Sequence, residues 1–228
     1  MSLKVLVACE CSQTVCTEFR SLGDECYSCD LEQEYGKHPE WHIQGDCVPL
    51  LNGDCTFTTN DGHSHYIDHW DCIIAHPPCT YLSRTQLPLY SRERMGDDYV
   101  DRRIACREKA IAFFMLFTQL DSPTLIENPV GYMNSHYRKP DQNIEPYQFG
   151  DPATKKTSLW LFGLPTLVPT EVVTPPPAHK YPNSNSMGSW YYETMKLPKK
   201  ERARVRSKTF PGIAKAIAQQ YHDYLINK

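Results

Sequence analysis

The run Cys72-Ile73-Ile74-Ala75 is apolar at every position and passes directly into His76-Pro77-Pro78-Cys79. A strand that alternates apolar and polar residues rests one face on a core, whereas a strand apolar throughout is covered on both faces, as in the centre of a parallel sheet. The two prolines then end it, because each lacks an amide hydrogen and holds φ at about −65°. The chain therefore leaves the sheet in a stiff turn that presents a thiol at its far end. Open α/β sheets place ligands just beyond the carboxyl ends of their strands. A single cysteine is more often a small buried hydrophobe than a nucleophile, so Cys79 is a candidate that needs partners.

Strands and helices alternate along the remaining chain. Lys4 to Ala8 reads as a buried strand, Ser12 as a cap for a helix from Thr14 to Ser21 that Gly23 ends, and Glu25 to Ser28 as a second strand closing on Asp30. Ile43-Gln44-Gly45-Asp46 ends another short element. Asn52 to His69 is a polar excursion, and Ser83 to Tyr99 reads as an irregular, mobile loop over a site. Arg102 to Leu120 carries the longest helical pattern, with Ala105, Ile111, Phe114 and Leu116 available for burial. Thr124-Leu125-Ile126 is a short strand leading into Glu127-Asn128-Pro129, and Ser158 to Phe162 is another. Pro165 to Pro182 is extended. A closing helix from Pro211 to Leu225 presents Ile213, Ala216, Ile217 and Tyr224. This alternation predicts an α/β fold whose mostly parallel sheet has helices on both faces. At 228 residues the chain suits one domain, 1–228, in which about 143–205 forms a small proline-rich and aromatic region.

Charge is unevenly spread. Residues 1–60 hold ten acidic residues against three Lys or Arg, whereas Lys196 to Lys208 holds seven basic residues and one acid. Such a run is either a solvated face or a surface for phosphates. Among ten cysteines only Cys26-Tyr27-Ser28-Cys29 has CxxC spacing, and nothing completes a four-ligand zinc set, so no metal is expected. The opening apolar run is short for a signal peptide, and no stretch approaches a membrane span. Free thiols and a cytosolic setting are the expectation.

In order, Val5 to Phe19, Asp30, Gly45-Asp46, Pro77-Pro78-Cys79, Glu127-Asn128-Pro129, Gln142 and the closing helix form a series that resembles the DNA (cytosine-5)-methyltransferases, most closely the short versions encoded by phages and prophages. Pro-Pro-Cys and Glu-Asn carry the resemblance, each at the end of an expected strand. It implies a Rossmann-like S-adenosylmethionine-dependent methyltransferase fold, S-adenosylmethionine as donor, double- or single-stranded DNA as partner, and the cytoplasm of a bacterium or phage-infected cell as location.

Cytosine carbon 5 is a poor nucleophile until a thiolate adds to carbon 6, after which the enamine accepts a methyl group. By resemblance Cys79 is that thiolate. Glu127 engages ring nitrogen 3 as a carboxyl kept neutral, or sharing a proton, by burial that raises its pKa. The Pro78 carbonyl accepts from the exocyclic amine, and Asn128 and Pro129 shape the loop. Ala8, Cys9, Glu10 and Ser12 lie in the loop, Ala8 to Gln13, around the methionine portion of the donor. Asp30 takes the ribose hydroxyls and Asp46 the adenine amine. His76, counted with this donor-side group, is either a structural histidine or one that orients the loop and acts on the thiolate.

Three departures from the family pattern stand out. Cys9-Glu10-Cys11-Ser12-Gln13 has no glycine where backbone usually approaches the donor. The later Gln-x-Arg-x-Arg element reads Gln142-Asn143-Ile144-Glu145-Pro146, so either Lys155 or Lys156 replaces the arginines or the hold on the base is weakened. Little chain is left for target recognition, whose domain is reduced or absent. Lys199, Lys200, Arg202, Arg204 and Arg206 are expected on nucleic acid, beside Tyr181, Trp190, Tyr191 and Tyr192, which either stack on bases or pack a satellite core. Two rival readings remain: the same chemistry on a free pyrimidine nucleotide, on RNA or with a modified donor, and a non-catalytic binding protein that keeps the fold.

Overall fold

The computed structural model describes residues 2–180 and 187–228. Its first half contains β1 (Lys4–Ala8), α1 (Thr14–Ser21), β2 (Glu25–Asp30), β3 (His42–Gln44), β4 (Cys55–Thr58), β5 (Ser64–Ile67), β6 (Cys72–Ala75), α2 (Arg92–Met95) and α3 (Asp97–Leu116). The second half adds β7 (Thr124–Pro129), α4 (Met133–His136), β8 (Gln142–Ile144), β9 (Thr157–Phe162), α5 (Ser189–Met195), α6 (Lys199–Ser207) and α7 (Pro211–Ile226). Seven strands form one sheet in the order β3-β2-β1-β6-β7-β9-β8. Neighbours from β3 to β7 pair in parallel, and β9 runs against both β7 and β8. The architecture is α/β, with a mostly parallel mixed sheet between helical layers.

β6 occupies the centre, and all four of its residues are fully buried. Cys72 and Ile74 join Val5, Val7, Phe19, Ile213, Ile217 and Tyr221 on the face covered by α1 and α7. Ile73 and Ala75 join Leu6, Tyr27, Ile126, Trp160, Phe114 and Phe117 on the other face, under α3. An all-apolar strand is what a position covered on both faces demands. Among the described residues no helix is long and apolar enough to cross a membrane.

Several local expectations change. Ser12 does not cap α1: Gln13 precedes the helix with φ 58°, and the buried Glu10 carboxylate accepts from Val15 N at 2.8 Å and Cys16 N at 3.2 Å. Ser12 donates its hydroxyl to Glu10 and accepts only a long bond from Thr14 N, at 3.4 Å. The excursion before β6 contains the antiparallel β4–β5 hairpin. Ser83 to Tyr99 is largely helical, with a 3-10 turn from Arg84 to Tyr90, then α2 and the start of α3.

Helical phase accounts for two further differences. The inward stripe of α3 and the turn after it runs through Val100, Ile104, Arg107, Ile111, Phe114 and Phe117, which leaves Ala105 and Leu116 facing solvent. In α7 the stripe reaches Tyr221, and Tyr224, one turn beyond, is 37% exposed. Glu127-Asn128-Pro129 is not a loop; those residues continue β7 and pair with Leu159, Ser158 and Thr157.

The segment after Cys79 is tied back to the chain beyond β7. Tyr132 N donates to Leu82 O at 2.7 Å and Arg84 N to Val130 O at 3.2 Å. A Cβ on Gly131 would meet Leu82 O at 2.1 Å, so only glycine allows this approach. Gly131→Ala is expected to displace residues 82–84 and to cost about 1–3 kcal/mol, read as a lower urea midpoint at unchanged slope. An unchanged midpoint would show that the approach is not tight.

Candidate active site

The parallel register gathers the candidate residues at one edge of the sheet. Ala8 pairs with both Cys29 and Ala75, Asp30 with Gln44, and Ala75 with Ile126. One step further along the strands, His76 stands beside Glu127 and Pro77 beside Asn128. All of these positions lie at the carboxyl ends of parallel strands, where α/β sheets bind ligands.

Hydrogen bonds fix the Pro-Pro turn on both sides. His76 N donates to Ala8 O at 2.9 Å, extending the ladder to β1 by one bond. The prolines have no amides to offer, and the buried Asn128 side chain donates to Pro77 O at 2.7 Å. Asn128 thus shapes the turn, as expected. Cys79 follows and is exposed at its surface, while Leu82 N and Ser83 N donate to its carbonyl.

His76 Nδ1 and Glu127 Oε2 are 2.8 Å apart, with side chains 11% and 13% exposed. Burial alone would lower the His76 pKa, but the bond and charge of Glu127 outweigh it and hold the imidazole above its ordinary value. Burial alone would likewise raise Glu127, yet His76 and then Lys155 hold the carboxyl below its ordinary value. This corrects the burial-driven elevation expected for Glu127, because the sequence does not announce its buried histidine partner. The Cys79 thiol is pushed up by the chain packed around it and by the Glu127 charge, with Lys155 acting in the opposite direction.

Lys155, rather than Lys156, reaches the centre. Because β9 runs backwards, Thr157 lies beside Pro129, and the residues just before it fall at the active edge. Lys155, Glu127, Thr157, Thr209, Phe210 and Ile213 line a small recess. The Lys155 ammonium donates to Arg206 O at 3.0 Å and lies 5.9 Å from the ring centroids of both Trp190 and Phe210. Lys156 is exposed and acts on Glu145 instead. A larger recess of about 340 Å³ opens at the opposite edge, among Leu3, Trp70, Asp71 and Pro123. It holds neither a thiol nor a histidine, and Asp71 is already bonded to Lys4 N.

On the other side of Cys79, Asp30 ends β2, half-buried, with burial raising its pKa and Glu32 N donating to it. Asp46 is exposed and accepts from Val48 N. Two apolar side chains follow these acids, Leu31 at 75% and Val48 at 38% exposure. The sequence reading did not single them out; their signal is an exposed hydrophobe directly or shortly after a strand-end acid. The glycine-free first loop still adopts glycine-like backbone, with φ 62° at Cys9 and 58° at Gln13. Such conformations are strained for non-glycine residues and concentrate at functional sites. Buried Glu10 spends its carboxylate on the α1 N-terminus, and Ala8 is fully buried in the sheet, so the half-buried Cys9 and Cys11 and the backbone are what this loop offers a ligand.

The remaining candidates are placed less directly. Gln142 in β8 uses both ends of its amide on Leu167, donating to O at 2.7 Å and accepting from N at 2.8 Å, which fixes the amide against that backbone. Lys199 and Lys200 are exposed at the start of α6, and Arg202 bonds Met195 O. Arg204 lies 4.0 Å from the Tyr35 ring centroid. Arg206 is committed to Thr194 and Tyr191, so it braces α5 against α6. Trp190 packs near Phe210, Tyr191 carries Arg206, and Tyr192 stacks on His179, which favours a satellite core over free stacking platforms. Tyr181 lies outside the described residues. Among the described residues no group of His, Cys, Asp or Glu is arranged to hold a metal ion.

No protein-family model matches the chain, and a search of curated proteins returns no match.

Alkylation of Cys79 by iodoacetamide, followed by peptide mass spectrometry across pH 7–10, tests these electrostatics. The rate is expected to be low near neutrality and to climb into the alkaline range, since the thiolate is the reactive form. Glu127→Gln removes a charge that raises this thiol, so it accelerates the reaction at pH 8; Lys155→Met removes one that lowers it and slows the reaction. The same rate in all three proteins would contradict the arrangement.

Proposed function

We propose that this protein transfers a methyl group from S-adenosylmethionine to carbon 5 of cytosine in DNA, within a Rossmann-like methyltransferase fold. The observation that carries the reading is the strand-end assembly of Cys79 on a rigid Pro-Pro turn with the His76–Glu127 pair and Lys155. Cys79 adds its sulfur to carbon 6, Glu127 supplies a proton to ring nitrogen 3, and the Pro78 carbonyl accepts from the exocyclic amine. Lys155 takes the place of the absent arginines, turning its ammonium, which lies near Trp190 and Phe210, to donate to the base.

The residues around Asp30 suit the donor. Two carboxylates on neighbouring strand ends offer acceptors for ribose hydroxyls and an adenine amine, and exposed Leu31 and Val48 beside them offer apolar surface to a flat ring. When bound, the donor supplies an electrophilic methyl group. Lys199, Lys200 and Arg202 give α6 a basic face for DNA phosphates, and a duplex target has to be flipped out at a cost of a few kcal/mol. Because several basic residues of α6 are committed internally, the same chemistry on a free pyrimidine nucleotide is the second reading.

Incubation with methyl-labelled donor and mixed-sequence DNA, then nucleoside analysis, is expected to place label in 5-methylcytosine. Lys155→Ala should lower kcat/KM about 10- to 100-fold, the worth of one hydrogen bond from a charged group. Label on adenine, or none despite donor binding, would overturn the reading. Higher turnover on deoxycytidine monophosphate than on DNA would favour the second.

A further inference from the structure

The contact between His76 and Glu127 is set by two central strands, not by reach of flexible side chains. It falls one step beyond the Ala75–Ile126 pair, and β6 and β7 are buried on both faces there. His76 Nδ1 is 2.8 Å from Glu127 Oε2, and His76 Nε2 is buried with no protein hydrogen-bond partner. The charged and titratable groups acting on the pair are Glu10 from the loop before α1, Lys155 from the segment before β9, and Cys79 from the turn after β6. An acid that hands a proton to a ring nitrogen must hold that proton at working pH. Glu127 stands among groups that keep it ionised, so the proton has to be stored beside it.

We propose that His76 is a positioning residue that orients Glu127 and keeps, shared with it, the single proton that Glu127 delivers to ring nitrogen 3 of the target cytosine. This rests on the methyl-transfer reading above. Before reaction the pair is imidazolium and carboxylate, and Cys79 enters as thiolate, its proton having gone to water. The Nδ1–H bond breaks and an O–H bond forms on Glu127. As the sulfur–carbon 6 bond forms, the 5,6 double bond moves to carbons 4 and 5, and the former carbon 4–nitrogen 3 π pair takes the proton from Glu127. His76 is left neutral with its remaining proton on Nε2; after carbon 5 takes the methyl group its hydrogen leaves as a proton to water, and the proton on ring nitrogen 3 returns by the same path as the sulfur–carbon bond breaks.

The titration of His76, followed by nuclear magnetic resonance of its Cε1–H in the full-length protein without ligand, tests the pair directly. In the wild type it should lie above the ordinary value of about 6.5, and in Glu127→Gln it should fall by about one pH unit or more. His76→Gln, which keeps an N–H donor but cannot titrate, should leave KM for DNA nearly unchanged. Its kcat–pH profile should have one inflection moved to lower pH by about one unit or more, with about tenfold lower kcat for each unit. A purely structural histidine would lower activity without moving either inflection. An active wild type whose His76 titrates alike with Glu127 and with Gln at 127 overturns the proposal alone. A wild type that shows the shift but transfers no methyl group to cytosine overturns the methyl-transfer reading, and the proposal with it, since the stored proton then has no destination.

Discussion

The bond from Asn128 to the carbonyl of Pro77 is the constraint on which the active edge depends. Two successive prolines remove the amides that would otherwise carry β6 on along the sheet, so the turn can be held only through its carbonyls and through what precedes it. His76 N binds the chain to β1 on one side, and Asn128 binds it to β7 on the other. With both in place the turn has one position relative to the central strands. Cys79 then leaves the sheet in a defined direction, and His76 and Glu127 are brought side by side.

The electrostatics follow from that placement. A lone buried carboxyl would be pushed toward its neutral form, and a lone buried imidazole likewise. Side by side they reverse those tendencies: the imidazole pKa is held above its ordinary value and the carboxyl pKa below its own. Lys155 arrives from the segment before β9 because that strand is reversed, and it offsets part of the negative charge that Glu127 presents to the Cys79 thiol. Through Arg206 O and the rings of Trp190 and Phe210, the same lysine ties the centre to the basic helix α6. Chemistry and the expected phosphate-binding surface therefore meet at one side chain.

Much of this was legible in the residues. The apolar run Cys72 to Ala75 marked the central strand, and the positions of α1 and the closing helix followed from their apolar spacing and their end residues, Gly23 after α1 and Pro211 at the start of the last helix. Cys79 and Glu127 were paired by resemblance, and both follow short apolar runs that read as strand ends; the structure sets those two strands side by side in parallel. Other features depend on tertiary placement. Nothing local tells that Glu10 rather than Ser12 serves the α1 N-terminus, since its carboxylate reaches back from outside the helix. The lowered Glu127 pKa depends on strand register, which decides that His76 and not another residue stands beside it. Lys155 could be separated from Lys156 only once β9 was known to run antiparallel. The Gln142 amide closes on the backbone of Leu167, twenty-five residues away in sequence, a pairing that no local pattern announces.

The central claim is that Cys79, held by this turn, is the nucleophile that bonds to cytosine. Duplex DNA containing 5-fluorocytosine, incubated with the protein and S-adenosylmethionine, should trap a covalent complex, because fluorine at carbon 5 blocks the elimination that frees the thiol. Peptide mass spectrometry is expected to find the adduct on Cys79, and Cys79→Ser to abolish it. An adduct on another cysteine, or one that persists in Cys79→Ser, would contradict the account.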